Sequence, residues 1–212
     1  LFVAQMFVIP SGSMENTLLI RDRVMVQKVA GWSRGDVVVF RDTQGWLADP
    51  AEETDPLRRT LIFIGLAPDE SSNHLIKRVI GLPGDHVKCC DAQGRILVNG
   101  QPLDEGTYLY ATNGQTVAPS AYTFDVVVPK DRIWVMGDHR DNSQDSRCHL
   151  TEGTDGIAAF VPMADVVGSA IAVVYPFDRW RNLPRPDTFA SIPAPTGAAP
   201  DKPVITGEIP RC

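Results

Sequence analysis

The chain has 212 residues, with 20 lysines and arginines against 26 aspartates and glutamates, for a formal net charge of −6. That length holds one large or two small domains with a real core, and 43% hydrophobic with 22% charged residues is an ordinary globular composition. No block of lysine or arginine stands out, which disfavours a nucleic-acid binder.

In chain order, the opening "LFVAQMFVIP" is apolar but far shorter than the roughly 20 residues that span a bilayer. It reads equally as the stump of a longer anchor or as a buried first strand. Short runs rich in β-branched and aromatic residues follow: "DRVMVQKV", "GDVVVF", "HLIKRVIG", "HVKCC", "RILVNG", "TFDVVVP", "DRIWVMG" and "VVGSAIAVVYPF". Gly, Pro, Asn and Asp punctuate them, and "VNGQ" predicts a hairpin. Residues 42–56 read as a polar surface loop, and 57–67 as a short helix or a further strand. From Pro176 to Cys212 there are eight prolines in 37 residues and no periodicity, which predicts a loosely packed arm. The fold class expected is mostly β.

Four cysteines, Cys89, Cys90, Cys148 and Cys212, show no CxxC or Cys/His ligand spacing, so no structural metal site is expected. Neighbouring Cys89 and Cys90 would close a strained ring, and a bridge from one of them to another cysteine would need an oxidising compartment.

"PSGSMENTL" places Ser11 and Ser13 either side of Gly12. In an extended segment residues i and i+2 share a face, so the two hydroxyls could converge, one attacking a carbonyl and the other stabilising the oxyanion. A serine nucleophile needs a base. Of the four histidines, His139 has Asp138 beside it, but chain neighbours point to opposite sides, which argues against a Ser–His–Asp triad. Lys77 sits in the apolar run "HLIKRVIG", where burial would disfavour its ammonium. The competing reading is a lysine stem that snorkels to water.

"PSGSMENTL", "GDVVVF", "KRVIGLPGD" and "GDHRDNSQDSR", in that order, resemble the four sequence boxes of bacterial type I signal peptidases, membrane-bound serine endopeptidases that remove signal peptides from exported preproteins. The resemblance implies a signal-peptidase-type β-sheet fold. Its catalytic core would span residues 11–88 and 133–176, with a variable β-ribbon region inserted at 89–132, after an anchor stump or first strand at 1–10 and before a Pro-rich tail at 177–212. It further implies Ser13 as nucleophile, Lys77 as general base and the Ser11 hydroxyl with the Ser13 amide as oxyanion hole. Ser143 would orient the lysine amine, Asp145 and Arg147 would form an ion pair, and Asp138 and Asn142 would brace their loop, with Gly84 and Gly137 as turn glycines. Pocket walls would come from Ile9, Pro10, Met14, Leu18 and Ile76. Such shallow apolar pockets favour small residues one and three positions before the cut, a graded preference.

The resemblance also implies a location on the outer face of a bacterial cytoplasmic membrane, with signal peptides and lipid as partners and no cofactor. Two departures stand out. Asn16 occupies a position where the family often has proline, which is expected to loosen the turn, and Cys148 replaces an aromatic residue, close enough to the site to bridge to Cys89 or Cys90. The rival readings are a self-cleaving Ser/Lys repressor and a catalytically silent β-domain that binds exported chains. The first lacks support from any DNA-binding helical segment and has a shorter serine–lysine separation than the 64 residues here. The second is disfavoured by the retention of Ser11, Ser13, Lys77 and Ser143 together.

Overall fold

A computed structural model describes residues 3–47, 73–151, 154–206, 209, 210 and 212. The expected helix or strand at 57–67, and residues 48–56 of the expected loop, lie outside the described residues. The strands, in chain order, are β1 Ala4–Val8, β2 Arg23–Gln27, β3 Val37–Arg41, β4 His74–Gly81, β5 His86–Cys89, β6 Ile96–Val98, β7 Gln101–Pro102, β8 Ala111–Thr112, β9 Gln115–Thr116, β10 Phe124–Val127, β11 Arg132–Met136, β12 Val161–Pro162, β13 Val166–Tyr175, β14 Arg181–Asn182 and β15 Val204–Thr206. Between them the described helical segments are short 3-10 turns, and none is long and apolar enough to cross a membrane. The chain is mostly β, as its alternating β-branched runs predict.

Two sheets carry the fold. The larger has the order β1-β2-β13-β3-β4-β11-β12, with β14 also paired to β13, and its pairings are antiparallel. The smaller has the order β15-β10-β5-β6-β7. Its β6–β7 hairpin turns on Asn99 and Gly100, both at positive φ (52° and 80°), as "VNGQ" predicts. "TNGQ" makes the same turn between β8 and β9, with Asn113 at 51° and Gly114 at 77°.

The larger sheet is covered on both faces, because β3 is apolar at every position from Val37 to Phe40. Val37 and Val39 join Phe7, Met14, Leu18 and Ile76 in one cluster. Val38 and Phe40 join Trp46, Val79, Ile133 and Val135 in another. A third cluster, around Ile80, Val87, Phe124, Trp134 and Phe160, welds the two sheets together.

The proline-rich segment is not a loose arm. Phe189 and Ile192 are buried in the cluster between the sheets, β15 forms the edge of the smaller sheet, and Arg185 makes a two-pronged ion pair with Asp36 at 3.0 and 2.7 Å. A rigid extended segment docks through a few apolar anchors and needs no periodicity, so periodicity could not reveal it.

The cysteine expectations are also corrected. Cys148 bonds Cys212, with Cα atoms 5.3 Å apart, because the chain's last residues return to the loop that carries Cys148.

Candidate active site

Ser13 lies in a one-turn 3-10 helix, Gly12–Met14, between β1 and β2. The extended geometry assumed for Ser11 and Ser13 therefore does not hold; Ser11 is extended (φ −138°, ψ 163°) and the turn begins after it. The two hydroxyls still come within 3.4 Å of each other. Met14 and Leu18, both 0% exposed, anchor the turn in the core. The turn is held from above as well: the His139 N–H donates to the Ser13 carbonyl at 3.0 Å.

Lys77 projects from β4, 64 residues downstream, and its Nζ donates to Ser13 Oγ at 2.7 Å. It is 2% exposed, and burial lowers its pKa from 10.5 to about 8, against the pull of Asp145 and Asp138 in the other direction and with help from Arg147. The register Arg78↔Met136, continued one step, sets Gly137 beside Lys77. A methyl group on Gly137 would lie 2.5 Å from the Ser13 carbonyl oxygen and closer still to Ser143 Oγ, so only glycine lets the three segments meet.

Asp145 and Arg147 form the expected ion pair, doubly bonded at 2.8 Å and almost fully buried. Burial opposes the charge on Asp145; the Arg147 guanidinium and the Gly137 N–H overcome it and hold the carboxyl below its usual value. The Ser143 hydroxyl does not bond Lys77; it is buried near Gly137 and the Ser13 carbonyl, and it helps to hold the Asp145 carboxyl below its usual value. Asn142 is exposed and ties its loop through a backbone bond from its N–H to the His139 carbonyl at 2.9 Å. Gly84 has a positive φ of 87°.

Asp138 has a partner that sequence reading missed. Arg78 Nε and Nη2 donate to its two oxygens at 2.8 and 2.6 Å, and Thr17 Oγ1 donates to it as well. Burial works against the Arg78 charge, and Asp138 more than restores it. The signal was present in "LIKRVIG": a second cation in so apolar a strand requires a buried carboxylate somewhere. Arg140, two residues after Asp138, makes a second such pair with Glu105 of the segment after β7, both side chains about 1% exposed.

A groove of about 520 Å³ runs beside Ser11, lined by Phe7, Ile9, Pro10, Ile20, Leu75 and Ile76 among others. Ile9, Pro10 and Ile76 thus stand where pocket walls were expected. Met14 and Leu18 do not line it, because anchoring the Gly12–Met14 turn in the core consumes their surface. Asn16 also departs from expectation: it is left-handed (φ 80°) and its side-chain amide donates to the Leu109 carbonyl at 3.1 Å, so the turn is tied rather than loosened.

The family model for "Signal peptidase, peptidase S26" matches residues 1–175. Signal peptidase I of Mycobacterium tuberculosis is 38% identical over 202 residues, covering 84% of this chain and 67% of that protein. A probable signal peptidase I of Mycobacterium leprae is 34% identical over 210 residues, covering 86% and 72%. A crystal structure of a signal peptidase I from Enterococcus faecalis aligns with a TM-score of 0.35 at 22% identity, over 66% of this chain and 97% of that one, too weak a likeness to bear on the fold. On the family match and these identities, the chain belongs to the signal peptidases of peptidase family S26.

Proposed function

We propose that the protein is a serine endopeptidase that removes N-terminal signal peptides from exported preproteins, with Ser13 as nucleophile and Lys77 as general base. The observation that carries this reading is the 2.7 Å contact between Lys77 Nζ and Ser13 Oγ, made by a buried lysine whose pKa is lowered to about 8. Neutral Lys77 takes the hydroxyl proton as Ser13 Oγ attacks the scissile carbonyl. The oxyanion is met by the Ser13 N–H and the Ser11 hydroxyl. Lys77 then gives its proton to the leaving amine, and water, deprotonated by the same lysine, releases the acyl group. Ser143, whose buried hydroxyl stands beside Gly137 and Asp145, orients the lysine amine as substrate seats. The Asp145–Arg147 and Asp138–Arg78 pairs hold the walls of the site without placing a carboxylate on Lys77.

The groove along Ile9, Pro10 and Ile76 takes the signal peptide's last residues, and its apolar walls favour small side chains of the Ala-X-Ala kind. Membrane lipid is the second partner in this reading, with the domain on the outer face of a bacterial cytoplasmic membrane. Ile20, Phe177 and Trp180 are 52, 73 and 66% exposed, and the Arg179–Asp22 ion pair at 2.8 Å links their two segments. Such a rim of apolar and aromatic side chains suits a bilayer surface.

The test is cleavage of a detergent-dispersed peptide bearing an Ala-X-Ala site by the wild-type chain, Ser13→Ala and Lys77→Met. Cleavage by wild type alone supports the dyad; cleavage by either variant at the wild-type rate sinks it.

A further inference from the structure

His139 lies outside the proton-transfer pair, yet it touches the nucleophile turn at three points. Its N–H donates to the Ser13 carbonyl at 3.0 Å. Its ring Nδ1 is 2.8 Å from Glu15 Oε2 and 3.3 Å from the Gly12 carbonyl. The other ring nitrogen is 3.2 Å from Asp141 Oδ1. The ring itself lies against Tyr110, with centroids 3.8 Å apart and planes 23° from parallel.

Glu15 is the residue that closes the Gly12–Met14 turn, and its own N–H donates to the Gly12 carbonyl at 3.0 Å. Its carboxylate folds back over Gly12, so closely that a methyl group there would meet the Glu15 carboxyl carbon and Oε1 at 3.0 Å. Gly12 is therefore bare because the carboxylate crosses it on the way to His139. Tyr110 is fixed by its N–H to the Asp138 carbonyl at 3.1 Å, and Arg140, on the other side of His139, is locked to Glu105. The imidazole is thus a fixed post on a braced loop, and the nucleophile turn is tied to it.

We infer that His139 is a positioning residue for the nucleophile: by gripping Glu15 through its ring and the Ser13 carbonyl through its backbone, it holds the Gly12–Met14 turn so that Ser13 Oγ stays at Lys77. The inference rests on the serine-peptidase reading for its effect on rate, but the clamp itself is a property of the fold. A nucleophile displaced by about 1 Å can lose up to about 100-fold in rate, so the side-chain grip matters even though the backbone bond survives side-chain removal. The groove is untouched by Glu15 and His139, so substrate affinity is not involved.

The experiment compares wild type, Glu15→Gln, His139→Ala and the double variant on the same detergent-dispersed peptide, together with hydrogen exchange at the Glu15 and His139 backbone amides, whose N–H groups bond the Gly12 and Ser13 carbonyls. Glu15→Gln preserves size on a partly exposed side chain and keeps the test open if His139→Ala folds poorly. Each single variant is expected to lower kcat about tenfold with KM within about twofold, and the double to be no slower than the worse single, as for two halves of one contact. Exchange at these two amides is expected to accelerate in all three. Single variants with wild-type kcat, losses that multiply in the double variant, or unaccelerated exchange would each overturn the clamp. If the wild type cleaves nothing, the peptidase reading fails by itself, and exchange alone decides whether the clamp exists.

Discussion

Lys77 and Arg78 are consecutive in β4 and leave it on opposite faces, 2 and 3% exposed, one at a serine hydroxyl and the other gripped by the two oxygens of Asp138. Burial acts against both charges. Arg78 keeps its charge because a carboxylate compensates it, whereas Lys77 has a hydroxyl in that place and its pKa falls to about 8. One strand thus holds a permanent cation and a titrating amine side by side.

The first prediction follows from that lysine. In the proposed mechanism activity requires the neutral amine, so the rate of peptide cleavage should rise with pH through about 8, which a pH–rate profile would read. Stability carries the same sign. Between about 8 and 10.5 the unfolded chain holds the proton that the folded chain has lost, so stability rises with pH across that window. Lys77→Met should abolish cleavage and flatten this rise, measured by urea unfolding at pH 7.5 and 10. A Lys77→Met protein with the wild-type slope would contradict the assignment.

Gly137→Ala should separate activity from folding. The added methyl would sit 2.5 Å from the Ser13 carbonyl oxygen and must push the nucleophile turn or the Ser143 loop aside. Overpacking of this kind costs about 1–3 kcal/mol, small enough for the protein to fold. The expected outcome is a folded variant, by circular dichroism, with cleavage reduced at least about 100-fold. Wild-type activity would mean the three segments have slack the structure does not contain.

Asn16→Pro should damage the protein, although proline is what the resemblance to the family would put there. Proline holds φ near about −65°, and Asn16 stands at +80°. The substitution also removes the side-chain bond to Leu109. A fall of about 1–3 kcal/mol in stability, with slower cleavage, is expected in urea unfolding and peptide assays. A gain in stability would show that the turn readily takes another path.

Much of the β framework was legible because its strands are local signals. "HLIKRVIG" is β4 itself, "DRIWVMG" and "VVGSAIAVVYPF" contain β11 and β13, and "GDVVVF" covers β3 but for its last residue, Arg41. The apolar setting of Lys77 was likewise written in its immediate neighbours. What could not be read was pairing at a distance: Arg78 with Asp138 lies 60 residues apart, and nothing local to Cys148 points to Cys212. The tail was misjudged for a related reason, since Phe189 and Ile192 are isolated anchors among prolines and generate no repeating pattern. The left-handed Asn16 and the 3-10 turn at Ser13 are shaped by their tertiary contacts, which outweigh the extended geometry suggested by spacing.

The order of strands in the larger sheet has a temporal meaning. Ser13 hangs between β1 and β2, Lys77 rides on β4, and β13 lies between those two halves, bonded to β2 on one side and β3 on the other. Residues 166–175 thus act as the keystone that brings Ser13 and Lys77 together, and they emerge from the ribosome after both. If Ser13 and Lys77 are the dyad proposed above, the protein stays unarmed while it is being made. A chain ended at residue 165 is expected to contain every residue of the dyad and to cut nothing.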